Sequence, residues 1–426
     1  MSVSYGFKNI VANKSHIPEL LNLYYAVYGS DYPISIGYDF KVMEYAITHP
    51  EEYLWMVALA QTQSRDGVNS SEKVVGSTVF QLYNSYGVGK VIAVAVLPEY
   101  RGNHISTRLI TEGTKIIFEQ RKNIHALYTT TRTLSAASQL MFLSNGYYPL
   151  GIFPNAHKIK QFETLTFMGS FRSDVLEKRE YVQVASDKLK PILKISNKIF
   201  GKKSVSPLKK VPVPMEQADL KEFSKEGMFE FIFAPNFVKK FYQQNKDKYC
   251  CGSSVVSRSS GRIVSPFETP NLLIVAPQID LELFAYFSPK DHYCVLVSCN
   301  KKLEYFGPHL KQLIFQMKDH GVSYVETLIS LDCDGTIEYL LQNQFLPSAI
   351  CTAFQERDGK FYDHIFLSRT MEPLDFSNMQ IDRSFKPFID QYIDLWTEML
   401  SSSVKVLNSS ATPRAIASNI SSINIR

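Results

Sequence analysis

The sequence predicts an α/β chain of the mixed, α+β kind, with a mostly antiparallel central sheet flanked by helices, and with two such folds in tandem. Three observations carry this. In the first third, apolar positions switch repeatedly between helical spacing and alternation along the chain. Three extended segments there follow one another across short, turn-rich breaks, the pattern of an antiparallel meander. A stretch near residue 145 recurs 198 residues further on, together with its surroundings.

The elements follow in order. Phe7–Val11 reads as a short strand, and Ile17–Tyr28 as a helix carrying Ile17, Leu20, Leu21, Leu23, Tyr24 and Val27 before stopping at Gly29. Lys41–Thr48 is a second helix, ended by His49-Pro50. The meander is Tyr53–Ala60, Val74–Tyr83 and Val88–Leu97. After Pro98 a helix runs to about Gln120, with Ile105, Leu109, Ile116 and Ile117 near one face. Ala126–Thr131 is a strand and Ser135–Ser144 a helix closed by Asn145-Gly146; Tyr148–Phe153 and Glu163–Met168 are further strands. Val175–Phe200 reads as helical, and Gly201–Pro214 as a Lys-, Ser- and Pro-rich linker. The lysines here (Lys188, Lys190, Lys194, Lys198 and others) fit a solvated face better than contact with an anionic surface.

Alternation resumes beyond the linker. Leu281–Phe287, Tyr293–Cys299, Tyr324–Ile329, Ile350–Gln355 and His364–Ser368 are strand-like, and Leu310–His320 and Thr336–Asn343 are helical. Asn343-Gln344-Phe345-Leu346-Pro347 parallels Asn145-Gly146-Tyr147-Tyr148-Pro149, and at the same offset strand falls on strand and helix on helix. The expected division is 1–170, a linker over 171–215, a second domain over 216–372, and a helix with a loose tail over 373–426.

Composition excludes several function classes. Forty-six Lys and Arg against 41 Asp and Glu give a net charge of +5, too mild to make nucleic acid an expected partner. No apolar run reaches the roughly 20 residues that span a bilayer. The first residues lack a basic-then-apolar leader, so a cytoplasmic location is expected. The six cysteines show no metal-ligand spacing; they read as reduced thiols, and no metal is expected.

The informative stretch is Val91–Leu97, then Pro98-Glu99-Tyr100-Arg101-Gly102-Asn103-His104-Ile105-Ser106-Thr107. A strand that ends at proline and turns into a helix aims several backbone N–H groups at one spot, with the helix dipole behind them. That suits a phosphate or pyrophosphate. This stretch resembles the signature of the GNAT superfamily of acyl-CoA-dependent N-acyltransferases, Pro-x-Tyr-Arg-Gly-x-Gly-Ile/Leu-Gly/Ala after an apolar strand. It departs at His104, where the family usually has glycine, and at Ser106, where another small residue stands. The resemblance extends to element order over residues 1–170.

The resemblance implies acetyl-CoA or another acyl-CoA held by Arg101, Gly102, Asn103, His104, Ile105, Ser106 and Thr107. It also implies backbone groups of Ala95, Val96 and Leu97 along the pantetheine arm. Ser135 and Ser138, beside Arg132, occupy a place that flanks the acyl group, or else Thr133 or Ser135 caps a helix. The family's usual acidic tyrosine corresponds to Phe142, which has no proton to give; Tyr147 or Tyr148 is a substitute. Candidate bases are Glu163, His157 and Tyr83. The second domain lacks the loop, with Asn300–His309 in its place, and reads as a degenerate copy. The expected activity is transfer of an acetyl or other acyl group to a small-molecule or protein amine by direct attack. The alternative is a non-catalytic CoA or acyl-CoA sensor. Oligomeric state stays open.

Overall fold

The computed structural model describes residues 6–31, 34–63, 70–158, 161–181, 184, 186–201, 228–245, 249, 265–407 and 424–425. Cys250, Cys251 and residues 202–215, at the end of the expected linker, lie outside them. The chain divides into two compact units. The first holds Met1–Thr130, Ala137–Tyr148 and Met168–Ser173; the second holds Thr131–Ala136, Pro149–Phe167 and Asp174–Arg426.

The elements, in chain order, begin with β1 (Gly6–Val11), α1 (Ile17–Tyr28), α2 (Phe40–Thr48), β2 (Tyr53–Gln63), β3 (Ser70–Tyr83), β4 (Val88–Val96), α3 (Ile105–Gln120) and β5 (Ala126–Arg132). Then come α4 (Ala137–Leu143), β6 (Tyr148–Lys158), β7 (Phe162–Phe171), α5 (Lys190–Ile199), β8 (Glu230–Ile232), α6 (Pro235–Gln244), β9 (Leu272–Ala276), β10 (Leu281–Ser288) and β11 (Tyr293–Cys299). Next are α7 (Leu303–Phe306), α8 (Leu310–Asp319), β12 (Tyr324–Ser330), α9 (Asp334–Gln342), β13 (Leu346–Arg357) and β14 (Lys360–Thr370). The last are β15 (Gln380–Ile381), α10 (Lys386–Leu407) and β16 (Asn424–Ile425).

In the first unit the strands run β1-β2-β3-β4-β5, antiparallel except for the parallel β4–β5 pair. Helix α1 buries Ile17, Leu20, Leu23 and Tyr24 on one stripe and ends where Gly29 takes φ +73°. Asp39 caps α2 by accepting the Lys41 and Val42 amides at 2.8 and 3.3 Å. Helix α3 approaches β3 so closely that a Cβ on Gly113 would stand 2.2 Å from the ring of the fully buried Phe80. A Cβ on Gly76 of β3 would meet the Ile105 side chain at 2.6 Å. These two glycines set how near the start of α3 lies to the sheet.

In the second unit the order is β6-β13-β14-β12-β11-β10-β9-β8, antiparallel except for β11–β12. One core cluster gathers Val238, Tyr242, Tyr249, Leu273, Phe284, Val295 and Val297. The 198-residue offset lays β5 on β12 end to end, β6 on β13, β7 on β14 and α4 on α9, within a residue or two. Rare backbone conformations follow the same offset: Gly146 and Gln344 have φ +76° and +64°, and Asn155 and Ala353 have φ +58° and +54°. Within the second unit, Gly151 and Ala349, which are equivalent positions, pair directly across β6 and β13.

The expected helix over Val175–Phe200 is a correction. Residues 173–178 form turns, Arg179 bridges to Phe361, and only Lys190–Ile199 is α-helical, after a tight turn at Asp187–Leu189. Pro191 disfavours helix before it. Arg179 is drawn instead into a buried fork with Asp363 that also reaches Ser196, at 3.1 Å. Helix α10 extends to Leu407, within the 373–426 segment expected to hold a helix and a tail. Strands β8 and β9 and helices α6 and α7 come in addition to the elements expected from the sequence.

Candidate functional site

The strand before the turn is irregular. β4 pairs with β5 only from Val88 to Lys90, and no further ladder pair joins them among the described residues. Against β3, the register shifts between Ser77 and Val79, opposite Ala93 and Val94, and Ala93 takes φ +53°. This is a β-bulge, which bends a strand and re-aims its groups. Its two carbonyls accept from phenols of α1: Tyr24 donates to Ala93 at 2.7 Å and Tyr28 to Val94 at 2.5 Å.

Past the bulge, β3 reclaims part of the strand. The Leu97 amide donates to the Val75 carbonyl at 3.0 Å, and Ala95 pairs with Ser77. By alternation, Ala95 and Leu97 therefore face β3, and Val96 faces outward. Of the three backbone positions expected along the cofactor arm, the geometry leaves Val96; its carbonyl accepts Arg101 Nε at 3.3 Å.

Pro98–Tyr100 then form one tight turn, closed by Tyr100 N–H to Leu97 and Arg101 N–H to Pro98, at 3.0 and 3.2 Å. Tyr100 is buried with its ring edge-on to Phe7, 6.2 Å away, which anchors the loop to β1. Asn103 Nδ2 turns back to the Tyr100 carbonyl at 3.0 Å. Gly102 takes φ +84° and His104 φ +54°; His104 is the N-cap of α3, with no side-chain cap bond. His104 thus holds a left-handed backbone shape that glycine adopts most readily, with its side chain exposed.

The first backbone bond of α3 beyond the cap is Arg108 N–H to His104, at 3.0 Å. Among the described residues, nothing accepts the amides from Gly102 to Thr107. Six successive donors at the start of a sixteen-residue helix, with Arg101 exposed beside them, form an anion cradle. Ile105 is buried beneath it, and Ser106 and Thr107 are half-buried.

The remaining candidates are dispersed. Tyr147 is buried, edge-on to Phe142 at 5.0 Å, with its hydroxyl 3.2 Å from Thr114 Oγ1. Burial pushes its phenol pKa well up. Thr114 lies nine residues into α3, about 13 Å along the axis from the cradle end. Tyr83 pairs with Val88 at the opposite end of β4, about 26 Å along the strand from Val96. Ser138 is half-buried on α4, in the first unit with the cradle.

Ser135, Arg132 and Glu163 belong to the second unit. Ser135 is exposed, and Thr133 donates to the Thr164 carbonyl at 2.7 Å. Both Glu163 oxygens accept from Arg132, each at 2.7 Å, in a fork that makes this carboxylate an ion-pair partner. His157 lies 3.4 Å from Asp291, and burial lowers its pKa.

In the second unit, the segment between β11 and α8 has no comparable nest. Helix α7 and a tight turn at Gly307–His309 fill it, and Leu303 and Phe306 are fully buried. Among the described residues, no group of three His, Cys, Asp or Glu side chains could hold a metal ion, and no helix is long and apolar enough to cross a membrane.

Sequence reasoning missed Tyr24 and Tyr28. Their four-residue spacing places both on one face of α1, and that signal was readable. Their target, a bulge in β4, was not.

Residues 17–147 match the model of the Acetyltransferase (GNAT) family. No curated protein matches the chain. Solved structures that resemble part of it include a ribosomal-protein-alanine N-acetyltransferase from Brucella melitensis, at 18% identity over 38% of this chain and 99% of that one, with a TM-score of 0.31. Another is a GNAT acetyltransferase from Streptococcus pneumoniae, at 15% identity, 39% and 99% coverage, and a TM-score of 0.32. A third is spermidine N-acetyltransferase from Vibrio cholerae in complex with CoA and spermine, at 12% identity, 39% and 96% coverage, and a TM-score of 0.31.

Proposed function

From the premise that residues 17–147 are a GNAT acetyltransferase domain, we propose that the chain transfers an acetyl group from acetyl-CoA, or another acyl group from its CoA thioester, to an amine. The observation that carries this reading is the run of unclaimed amides from Gly102 to Thr107 at the start of α3. A pyrophosphate carries several acceptor oxygens and negative charge, and both match that cradle. Arg101 adds a charge-assisted contact once it leaves Val96, and the freed Val96 carbonyl then serves the arm of the cofactor.

The amine attacks the thioester carbonyl directly. The protein's part is to hold the two reactants together and to offer donors to the developing oxyanion. The acceptor is a small molecule or a protein amine. The protein acts in the cytoplasm. Residues 1–170 form the acyl-CoA domain, and 216–372 form a second, degenerate copy whose cradle position is filled by α7.

Titration calorimetry with acetyl-CoA and CoA, then a thiol-release assay over polyamines, amino acids and lysine-bearing peptides, tests the proposal. Binding with thiol release is the expected result; absence of binding would sink it. Phe142, where the family's acidic tyrosine usually stands, favours a second reading, a CoA sensor. Binding without turnover across all amine classes would select that one.

A further inference from the structure

The mechanism just proposed needs a proton for the departing thiolate, and Phe142 cannot give one. A cofactor whose pyrophosphate sits on the cradle has one direction in which open strand edge continues: back along β4 from Val96 to the bulge at Ala93, about 10 Å, since the next ladder position beyond it, Val91, already accepts from Thr129 Oγ1 at 3.0 Å. Its acyl end then lies by the bulge at Ala93 and Val94. Two phenols reach that bulge, and they differ. Tyr24 is 1% exposed, lies 3.0 Å from Ser77 Oγ as well as bonding Ala93, and burial drives its pKa well up. Tyr28, in the last turn of α1, is 38% exposed and donates to the Val94 carbonyl from the helix side. Tyr147 and Tyr83 are held elsewhere, beside Thr114 and at the far end of β4.

We propose that Tyr28 is the residue that protonates the leaving thiolate; this rests on the transferase reading above. The acceptor nitrogen attacks the thioester carbonyl carbon and the N–C bond forms. The C–S bond breaks, its electron pair leaves on sulfur, and the Tyr28 hydroxyl passes its proton there, turning away from Val94. The new ammonium loses its proton to solvent, and the phenolate regains one from solvent at its exposed edge.

The test compares the full chain with its Tyr28→Phe variant, and with Tyr25→Phe as a control, since Tyr25 is 70% exposed and next to it in sequence. Calorimetry with acetyl-CoA comes first; both variants are expected to bind as the wild type does. Thiol release is then followed with spermidine, a lysine-bearing peptide and hydroxylamine as acceptors. Tyr28→Phe is expected to lower kcat about 100-fold with the acetyl-CoA KM unchanged, and to remove the alkaline fall of the kcat–pH profile. A kcat within twofold of wild type would overturn the assignment. So would a fall in kcat with the pH profile intact, the sign of a purely structural tie to Val94. Wild-type protein that binds acetyl-CoA but releases no thiol with any of the three amines overturns the transferase reading, and this assignment with it. That result is distinguishable because it appears before any substitution.

Discussion

His104 holds a backbone conformation that costs an L-residue about 1–2 kcal/mol and glycine far less. Its φ of +54° places its amide and the next ones on the cradle, and its side chain makes no cap bond. A glycine would relieve that strain while adding about 0.5–1 kcal/mol of chain entropy to the unfolded state. His104→Gly is therefore expected to stabilise the protein by about 0.5–1 kcal/mol, read from urea unfolding, and to keep acetyl-CoA affinity within about twofold. A large loss of affinity would show that the imidazole itself touches phosphate. The sequence shows the substitution plainly, but whether the loop widens around a bulky residue depends on φ, which residue identity does not reveal.

A second residue makes stability depend on pH. His364 is buried between Ser330 and Cys351 on neighbouring strands, with Phe354 4.6 Å from its ring, and burial lowers its pKa to about 3. The folded protein prefers the neutral ring, so its contribution is whole above the unfolded value near 6.5. It is lost as pH falls from there toward about 3. Between those limits the unfolded chain binds more protons, and stability drops by up to about 1.4 kcal/mol per pH unit. Chemical unfolding at pH 7 and pH 5 should show this drop, and His364→Gln should flatten it.

At the scale of elements, α3 is placed by contact with β3 rather than by its own propensity. Gly113→Ala would gain about 1 kcal/mol of helix propensity. The new methyl would collide with Phe80, which is fully buried and cannot swing away, at a cost of about 1–3 kcal/mol or more. We expect a net loss of about 1–2 kcal/mol and weaker acetyl-CoA binding, because the helix that carries the cradle is lifted. Melting and calorimetry on one preparation would check both. Elements with a strong period were legible: α1 and β11 match their expected ranges, and α3 its expected end. Local period cannot report tertiary pull, so the run from Val175 to Phe200 misled; a buried Arg179–Asp363 fork holds its start out of a helix. The three-residue β8 is likewise too short to show a period. The chemistry around Tyr28 was hidden for a related reason, since a bulge and the loss of β4–β5 pairing are made between strands.

At the scale of the whole chain, only one of the two strand–turn–helix segments that follow a parallel strand pair has left-handed residues in its turn, Gly102 and His104, leading into a long helix. Calorimetry should accordingly give one acetyl-CoA per chain. Arg101→Ala should weaken that single event about tenfold, or about 1.4 kcal/mol, and a stoichiometry of two would refute the distinction. The other segment is filled by a short helix and its packed side chains, not merely short of an arginine and a glycine. Leu303 and Phe306 are sealed inside, and the ring of Tyr339 stands 2.7 Å from where a Cβ on Gly307 would be. Small changes in side chains there would leave the helical plug where it is. Grafting the loop's residues into Asn300–His309 is therefore expected to damage the core before it yields a second cradle.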